Sequence, residues 1–153
     1  MSYVLETSTE DVVASAHRRL HRRPLKRRRV PRLLLIDDDA ATRALCVANL
    51  RALKIDVFEA GDGLTGLKLA RRKRPDLVLL DVSMPGLDGF QVAESVRRRR
   101  KTRNIPLMFV SGETDIDARA RELGAIAALP KPFDPIALAS LIVATLSLEP
   151  RTI

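Results

Sequence analysis

The chain has 153 residues, of which 46% are hydrophobic and 30% are charged. This length suits one domain with a substantial core and is too short for two ordinary domains. No apolar run approaches the roughly 20 residues that span a bilayer, and the N-terminus lacks the apolar stretch of a secretory signal. We therefore expect a globular cytoplasmic protein. Cys46 is the only cysteine, which excludes a disulfide within one chain.

The formal net charge of +8 is unevenly distributed. Residues 1–29 hold eight Lys and Arg against three acidic residues, whereas residues 30–153 hold nineteen against sixteen. Charge repulsion and Pro24 favour a mobile basic tail over residues 1–29. A polyanion-binding arm is the functional alternative, although runs of charge are most often simply solvated.

From residue 30 onward, short apolar runs alternate with helical patterns five times. Such repeated units with short connections imply a parallel sheet with helices on both faces. We predict strands at 33–36, 55–58, 77–80, 106–110 and 126–129. We predict helices at 40–53, 62–73, 88–100, a short segment ending at 123, and 134–148. No second domain remains within 30–153.

The periodicity also assigns inner faces to the first two helices. On the first helix the residues predicted to face the sheet are Ala41, Ala44, Leu45, Ala48 and Leu53. On the second helix they are Leu64, Leu67 and Leu69.

The third predicted strand carries the most informative segment of the chain. Four large apolar residues, 77–80, are typical of a strand buried on both faces, and Asp81 stands at its carboxyl end. The turn Met84-Pro85-Gly86 follows, and Asp88-Gly89 opens a helix. Open α/β sheets place their chemistry at this edge. Alone, Asp81 is equally well explained as a strand-end cap.

The same edge collects polar residues from several strands. Asp37 and Asp38 follow the first strand, Ser111 ends the fourth, and Lys131 follows the fifth. Three clustered carboxylates repel one another unless a cation shares the site, and Mg²⁺ suits oxygen ligands. Lys131 supplies a fixed positive charge and Ser111 a hydroxyl donor. The set is typical of a phosphoryl-transfer site.

Taken together, these motifs resemble the receiver domain of bacterial two-component response regulators. The matching segments are Leu-Leu-Leu-Ile-Asp-Asp at 33–38, Asp81 with Met84-Pro85-Gly86 and Asp88-Gly89, Ser111-Gly112, Gly124-Ala125, and Lys131-Pro132-Phe133. The resemblance implies a doubly wound, flavodoxin-like α/β fold over 30–153, with five parallel strands in the order 2-1-3-4-5 and five helices.

The resemblance also implies roles for individual residues. Asp81 would accept a phosphoryl group from a histidine kinase or a histidine phosphotransfer protein, and Ser111 and Lys131 would hold the phosphoryl oxygens. Mg²⁺ would be bound by Asp37, Asp38, Asp81 and the carbonyl of Ser83. The Lys131-Pro132 bond would be cis. Such a protein would be a self-resetting switch that signals by protein contact, not a turnover enzyme.

Three features depart from the family pattern. Ala128 occupies the position of an aromatic residue that usually moves with the Ser/Thr, so a signal would have to travel through the Ser111 loop. The segment 111–124 is about two residues short, which predicts a short or displaced fourth helix. Pro130 in the last strand predicts that this strand lies at an edge of the sheet.

The last predicted helix has more apolar surface than one buried face needs. Its large apolar residues are Ile136, Leu138, Leu141, Ile142, Val143, Leu146 and Leu148. We predict a homodimer or a kinase-docking surface there. The alternative is that the helix packs partly under the N-terminal tail.

Two alternative functions remain open from the sequence. The basic runs 71–74 and 97–101 should end at the edge opposite Asp81, where the helix dipole accounts for part of the charge. The remainder is compatible with a phosphorylation-independent adaptor or a nucleic-acid-binding protein. A haloacid-dehalogenase-like phosphatase would use Asp37 and Asp39, but it would leave Asp81 and the turn after it unexplained.

Overall fold

The computed structural model describes residues 30–146, in which strands and helices alternate along the chain. The strands are β1 (Arg32–Ile36), β2 (Asp56–Ala60), β3 (Leu77–Asp81), β4 (Leu107–Ser111) and β5 (Ala127–Pro130). The helices are α1 (Ala40–Ala52), α2 (Gly63–Lys73), α3 (Gly89–Arg98), α4 (Asp117–Glu122) and α5 (Pro135–Thr145). The predictions for residues 1–29 and for Leu148 lie outside this range.

The five strands are parallel, and their order β2-β1-β3-β4-β5 confirms the predicted doubly wound sheet. Every residue of β3 and β4 is buried, because helices cover both faces of the central strands. β5 lies at an edge of the sheet, as Pro130 predicts. An edge strand tolerates proline because one side of its backbone has no partner strand.

The helices form two layers. α1 packs against α5, and α2 packs against α3. Four helices begin at an aspartate whose carboxylate accepts a backbone N–H of the first turn, namely Asp39, Asp62, Asp88 and Asp134. Each of these caps lies in the connection that follows a strand, so together they add negative charge to the carboxyl edge of the sheet.

The inner face of α1 differs from the predicted one. Its buried residues are Cys46, Val47 and Leu50. The five residues that the periodicity placed inside are all exposed: Ala41, Ala44, Leu45, Ala48 and Leu53. That prediction was wrong because alanine and leucine occur all around this helix. Packing on the sheet and on α5, not the sequence pattern, determines which side is inside.

The inner face of α2 is built partly from glycine. Of the three leucines predicted to face inward, Leu67 and Leu69 are partly buried, but Leu64 is 62% exposed. A Cβ atom at Gly66 would lie 2.4 Å from Cδ1 of Ile36. The helix therefore approaches β1 more closely than a larger residue would permit, and a search for large apolar residues misses this contact.

The apolar surface of α5 is largely covered within the chain. Leu138, Leu141 and Ile142 are buried, because the helix packs on the sheet and beside α1. Ile136 is the exception and is 69% exposed. The fourth helix, α4, has only 6 residues, which confirms the expectation that it is short. None of the helices between residues 30 and 146 is both long and apolar enough to cross a membrane.

Arg97 organises the opposite, amino edge of the sheet. Its guanidinium donates to the carbonyl of Leu123 at 2.7 Å, to that of Arg103 at 2.9 Å and to that of Ile105 at 2.7 Å. Burial lowers the pKa of Arg97 below its usual range. This arginine therefore holds together the connections that lead into β4 and β5.

Candidate functional site

Three aspartates converge at the carboxyl edge of the sheet. Asp37 follows β1 and Asp81 ends the adjacent strand β3, so the pairing of these strands brings the two residues together. Asp37, Asp38 and Asp81 each offer a carboxylate oxygen, and these oxygens lie within 4.8 Å of one another. Asp37 and Asp81 are only 3% and 5% exposed, whereas Asp38 is exposed.

Lys131 lies between the two buried carboxylates. Its ammonium donates to Oδ2 of Asp37 at 2.9 Å and is 3.3 Å from Oδ2 of Asp81. Burial works against the charged amine, but the hydrogen bond and charge of Asp37 outweigh it and raise the pKa of Lys131. Its backbone N–H donates to the carbonyl of Ser111 at 2.7 Å, and the Lys131-Pro132 bond is cis, as predicted.

The environment of Asp81 disfavours its negative charge. Burial and the nearby charge of Asp37 raise the pKa of Asp81 to about 6, although Lys131 and the backbone N–H of Ser83 oppose this shift. One lysine therefore does not fully compensate two buried carboxylates. Such a site favours a further cation, or a proton on Asp81.

The backbone around Asp37 holds its carboxylate in place. The N–H of Asp39 donates to Oδ1 of Asp37 at 2.9 Å, and the N–H of Asp37 donates to the carbonyl of Ala60 at 3.1 Å. The guanidinium of Arg43 donates to the carbonyl of Asp37 at 2.7 Å. Asp37 is thus oriented before any ligand arrives.

Ser111 and Ser83 lie on the two sides of Asp81. Ser111 is fully buried at the end of β4, one residue beyond Val110, which pairs with Asp81. The N–H of Glu113 donates to Oγ of Ser111 at 2.9 Å, which leaves the hydroxyl hydrogen free for another acceptor. The N–H of Ser83 donates to Oδ1 of Asp81 at 3.2 Å.

Glu113 is a site residue that the sequence reasoning missed. Its carboxylate accepts a hydrogen bond from Oγ of Ser83 at 2.5 Å and so links the loop after β3 with the loop after β4. The available signal was its position two residues after Ser111. A lone glutamate in a loop carries no pattern that distinguishes it from an ordinary surface residue.

Gly89 brings α3 against the backbone at Asp81. Its N–H donates to the carbonyl of Val82 at 2.8 Å. A Cβ atom at this position would lie 2.2 Å from the carbonyl oxygen of Asp81 and 2.8 Å from Cα of Val82. Only glycine permits this approach, so the Asp88-Gly89 pair is part of the architecture of the site.

A small pocket at this edge is lined by Asp37, Asp81, Thr42, Cys46 and Phe133, among others. Burial, and to a lesser extent the charge of Asp37, raise the pKa of the Cys46 thiol to about 11. The thiol is therefore neutral at physiological pH and serves as part of the apolar wall.

Ala128 is buried in β5, where it pairs with Phe109 of β4. The ring of Phe109 makes an edge-to-face contact with Phe90 of α3, with ring centroids 5.3 Å apart. Position 128 itself offers only a methyl group. The aromatic side chain that the family pattern places there is therefore absent.

An open, doubly wound sheet with carboxylates, a lysine and a buried hydroxyl at its carboxyl edge defines a class of α/β proteins that bind phosphoryl groups and hard cations. Within that class, residues 33–143 match the family model described as the response regulator receiver domain. The chain belongs to this family.

Individual relatives agree with this assignment. Over 107 residues the chain is 39% identical to the DNA-binding dual master transcriptional regulator RpaA of Synechocystis sp., a match that covers 69% of this chain and 44% of that protein. Over 103 residues it is 33% identical to sporulation initiation phosphotransferase F of Bacillus subtilis, covering 67% and 83%. The chain thus spans less than half the length of RpaA.

Among solved structures, the chemotaxis protein CheY4 of Vibrio cholerae superimposes with a TM-score of 0.70 at 28% identity. The match covers 74% of this chain and 97% of that one. The sheet order and the alternation of strands and helices are therefore those of a receiver domain.

Proposed function

We propose that this protein accepts a phosphoryl group on Asp81 from a phosphohistidine of a histidine kinase or histidine phosphotransfer protein. The observation that carries the proposal is the buried Asp81 carboxylate, which lies 3.3 Å from Lys131 and within 4.8 Å of the other carboxylates. Family membership supplies the reaction class, and the position of the carboxylate at the strand end supplies the nucleophile.

In the proposed reaction, an oxygen of the ionised Asp81 forms a bond to phosphorus while the P–N bond of the phosphohistidine breaks. The electron pair of that bond returns to the imidazole nitrogen. Lys131 offsets the charge gained by the site, and Ser111 donates its hydroxyl hydrogen to a phosphoryl oxygen. Attack of water on phosphorus then releases inorganic phosphate and restores the Asp81 carboxylate.

The carboxylates at this edge are suited to Mg²⁺. Asp37 and Asp81 are buried with a single lysine between them, and Asp38 adds a third hard oxygen ligand. Asp37, Asp38, Asp81 and the carbonyl of Ser83 would hold the ion. When bound, Mg²⁺ supplies positive charge that neutralises the incoming phosphoryl group.

We propose that the phosphorylated protein signals by protein contact. With Ala128 in place of an aromatic residue, the loops after β3 and β4 are the segments able to report phosphorylation. The hydrogen bond of Ser83 to Glu113 joins these loops next to Ser111. Movement of the Ser111 hydroxyl toward a phosphoryl oxygen would release the N–H of Glu113 and so alter this surface.

We further propose that the protein is a self-resetting acceptor and not a turnover enzyme. Membership of the receiver family supports this proposal over the haloacid-dehalogenase-like alternative, which would use Asp37 and Asp39 and would leave Asp81 unexplained. Asp37 is instead bound to Lys131 at 2.9 Å and to the N–H of Asp39. Sustained hydrolysis of a generic phosphate ester at a rate that Asp81→Asn leaves unchanged would contradict this proposal.

A homodimer through α5 and α1 is a further partner proposal. These adjacent helices expose Ile136, Leu45 and Leu53, which are 69%, 53% and 45% exposed. Light scattering across a range of concentrations would test it, with Ile136→Lys expected to weaken association. Leu64→Lys, on the opposite face and similarly exposed, is the matched control. A wild type that stays monomeric at every concentration would contradict the proposal.

The direct test of phosphoryl acceptance is incubation with Mg²⁺ and a small acyl phosphate donor, followed by intact mass measurement. Wild type and the control Asp39→Asn should each gain the mass of one phosphoryl group, and Asp81→Asn should gain none. Asp39 is a suitable control because it is an exposed helix cap in the same loop. Labelling of Asp81→Asn to the wild-type extent would refute the assignment.

A further inference from the structure

Two helices end side by side at the amino edge of the sheet, and both ends are basic. α2 and α3 pack against each other and lead into the adjacent strands β3 and β4. The N–H of Val78 in β3 donates to the carbonyl of Pro106 just before β4, which brings the two connections together. Exposed cations from both ends form what we call the basic ridge: Arg71, Arg72, Arg74, Arg98, Arg99, Arg100, Lys101 and Arg103.

The fold does not use most of this charge. Between residues 30 and 146, the ion pair recorded for the ridge is that of Arg98 with Glu94, at 3.5 Å. Arg97 is the arginine that binds the loop carbonyls, and Lys73 lies over the ring of Phe58 at 5.1 Å, so neither belongs to the ridge. The ridge residues instead point into solvent.

The helix dipole explains only part of the ridge. A cation is stabilised by the dipole only within about the last turn of a helix. Arg99, Arg100, Lys101 and Arg103 lie beyond the end of α3. Their mutual repulsion opposes folding, so their presence points to a ligand that supplies negative charge.

The composition of the ridge selects among polyanions. Seven of the eight ridge residues are arginines, and the guanidinium group of arginine binds phosphate oxygens in pairs, so the ridge favours phosphate groups. The segments 71–74 and 97–103 contain no large apolar residue to enter a bilayer and no aromatic residue on which single-stranded bases would stack. Because a bilayer surface and a single strand are disfavoured, the polyanion that best matches the ridge is a nucleic-acid duplex, whose phosphates are dense and regularly spaced.

We propose that the basic ridge binds the phosphate backbone of double-stranded nucleic acid without sequence preference. The ridge is at the edge of the sheet opposite Asp81, so the ridge and the phosphorylation site have separate surfaces. The inference goes beyond phosphoryl acceptance and does not depend on it. Asp81→Asn is therefore expected to bind a duplex.

The test is fluorescence anisotropy of the full chain with a mixed-sequence DNA duplex over a series of salt concentrations. The ridge variant carries Arg99→Gln, Arg100→Gln, Lys101→Gln and Arg103→Gln together. Each lost phosphate contact should reduce the slope of log affinity against log salt by about 0.9, so the loss for this variant is about 3 to 4. At low salt its affinity should fall at least about 10-fold.

A matched control removes the same charge from the tail, through Lys26→Gln, Arg27→Gln, Arg28→Gln and Arg29→Gln. This variant should keep the ridge-dependent part of the salt slope. Circular dichroism and phosphodonor labelling should be unchanged in the ridge variant, which would show that it is folded. Three results would overturn the proposal: equal duplex binding by the wild type and the ridge variant, loss of binding in the tail variant alone, or binding to anionic lipid vesicles without binding to the duplex.

Discussion

The two edges of one sheet carry opposite charge. Between residues 30 and 146, the connections that follow strands contain eight carboxylates and one cation, Lys131. The connections that precede β2 to β5 contain six cations and one carboxylate, Asp76. At the carboxyl edge Asp37 is buried and paired with Lys131, although most of the other carboxylates in these connections are exposed. At the amino edge all six cations are exposed. This difference supports two proposals: phosphoryl acceptance at the carboxyl edge and binding of a large anion at the amino edge.

The closest packing at the carboxyl edge should have the largest effect when it is broken. Gly89→Ala would place a Cβ atom 2.2 Å from the carbonyl oxygen of Asp81, so the backbone must shift. We expect a loss of about 3 kcal/mol in the free energy of unfolding, measured with denaturant. Gly112→Ala is the control, because no atom lies within 4 Å of its added Cβ. Comparable stability of the two variants would contradict the proposed packing.

At the amino edge, the partnered and unpartnered arginines should differ. Arg97→Met removes the donor to three loop carbonyls, and we expect a loss of about 2–3 kcal/mol in the free energy of unfolding. Arg98→Met, one residue further along, should change stability by about 0.5 kcal/mol or less because its side chain is 76% exposed. Equal effects would mean that the basic run is structurally uniform.

Because the site disfavours the negative charge of Asp81, replacing this residue by asparagine should increase the free energy of unfolding in a pH-dependent way. The pKa of Asp81 rises from 3.8 to about 6 on folding, so the native state holds an extra proton between these values and stability falls as pH increases through this window. The shift allows at most about 3 kcal/mol, and we expect Asp81→Asn to be about 1–2 kcal/mol more stable than wild type at pH 7.5 without Mg²⁺.

This difference should shrink toward pH 4. Asp39→Asn is the control, because hydrogen bonds from Thr42 and Ala41 lower the pKa of Asp39 and neutralisation brings no gain. Denaturant unfolding at several pH values in the presence of a chelator measures both variants. An Asp81→Asn protein less stable than wild type at pH 7.5 would contradict the assigned charge balance.

The smallest expected effect concerns the exposed carboxylate of the cluster. Mg²⁺ at five times its dissociation constant should stabilise the wild type by about 1 kcal/mol. Asp38→Ala should lose this stabilisation, whereas Asp39→Asn should keep it, although both side chains are exposed and adjacent in the chain. Full retention in Asp38→Ala, read by thermal unfolding with and without Mg²⁺, would show that Asp38 is not a ligand.

The sequence predicted the sheet well, because its strands are continuous apolar runs that end at polar residues. The runs at 33–36 and 77–80 required burial on both faces, and this requirement led to the parallel sheet. The convergence of Asp37, Asp38 and Asp81 followed from the topology alone. The sheet and the convergence of the aspartates could be predicted because both depend on the order of residues along each strand and on the parallel arrangement of the strands.

Properties that depend on packing between elements were not predictable in this way. The inner face of α1 was misassigned because Leu45 and Leu50 give no reason to prefer one side of an alanine-rich helix. Gly66 and Gly89 act through the space that they leave, which hydrophobic periodicity does not record. Glu113 enters the site through a single side-chain contact between two loops.

The most direct test of the account is to locate the phosphoryl group. Protein labelled with an acyl phosphate donor and Mg²⁺ is treated with borohydride, which reduces an aspartyl phosphate to homoserine with release of phosphate, and the modified peptide is sequenced by mass spectrometry. We expect homoserine at position 81 and unmodified aspartate at positions 37 and 38. Modification at either of those two positions, with Asp81 intact, would contradict the central claim.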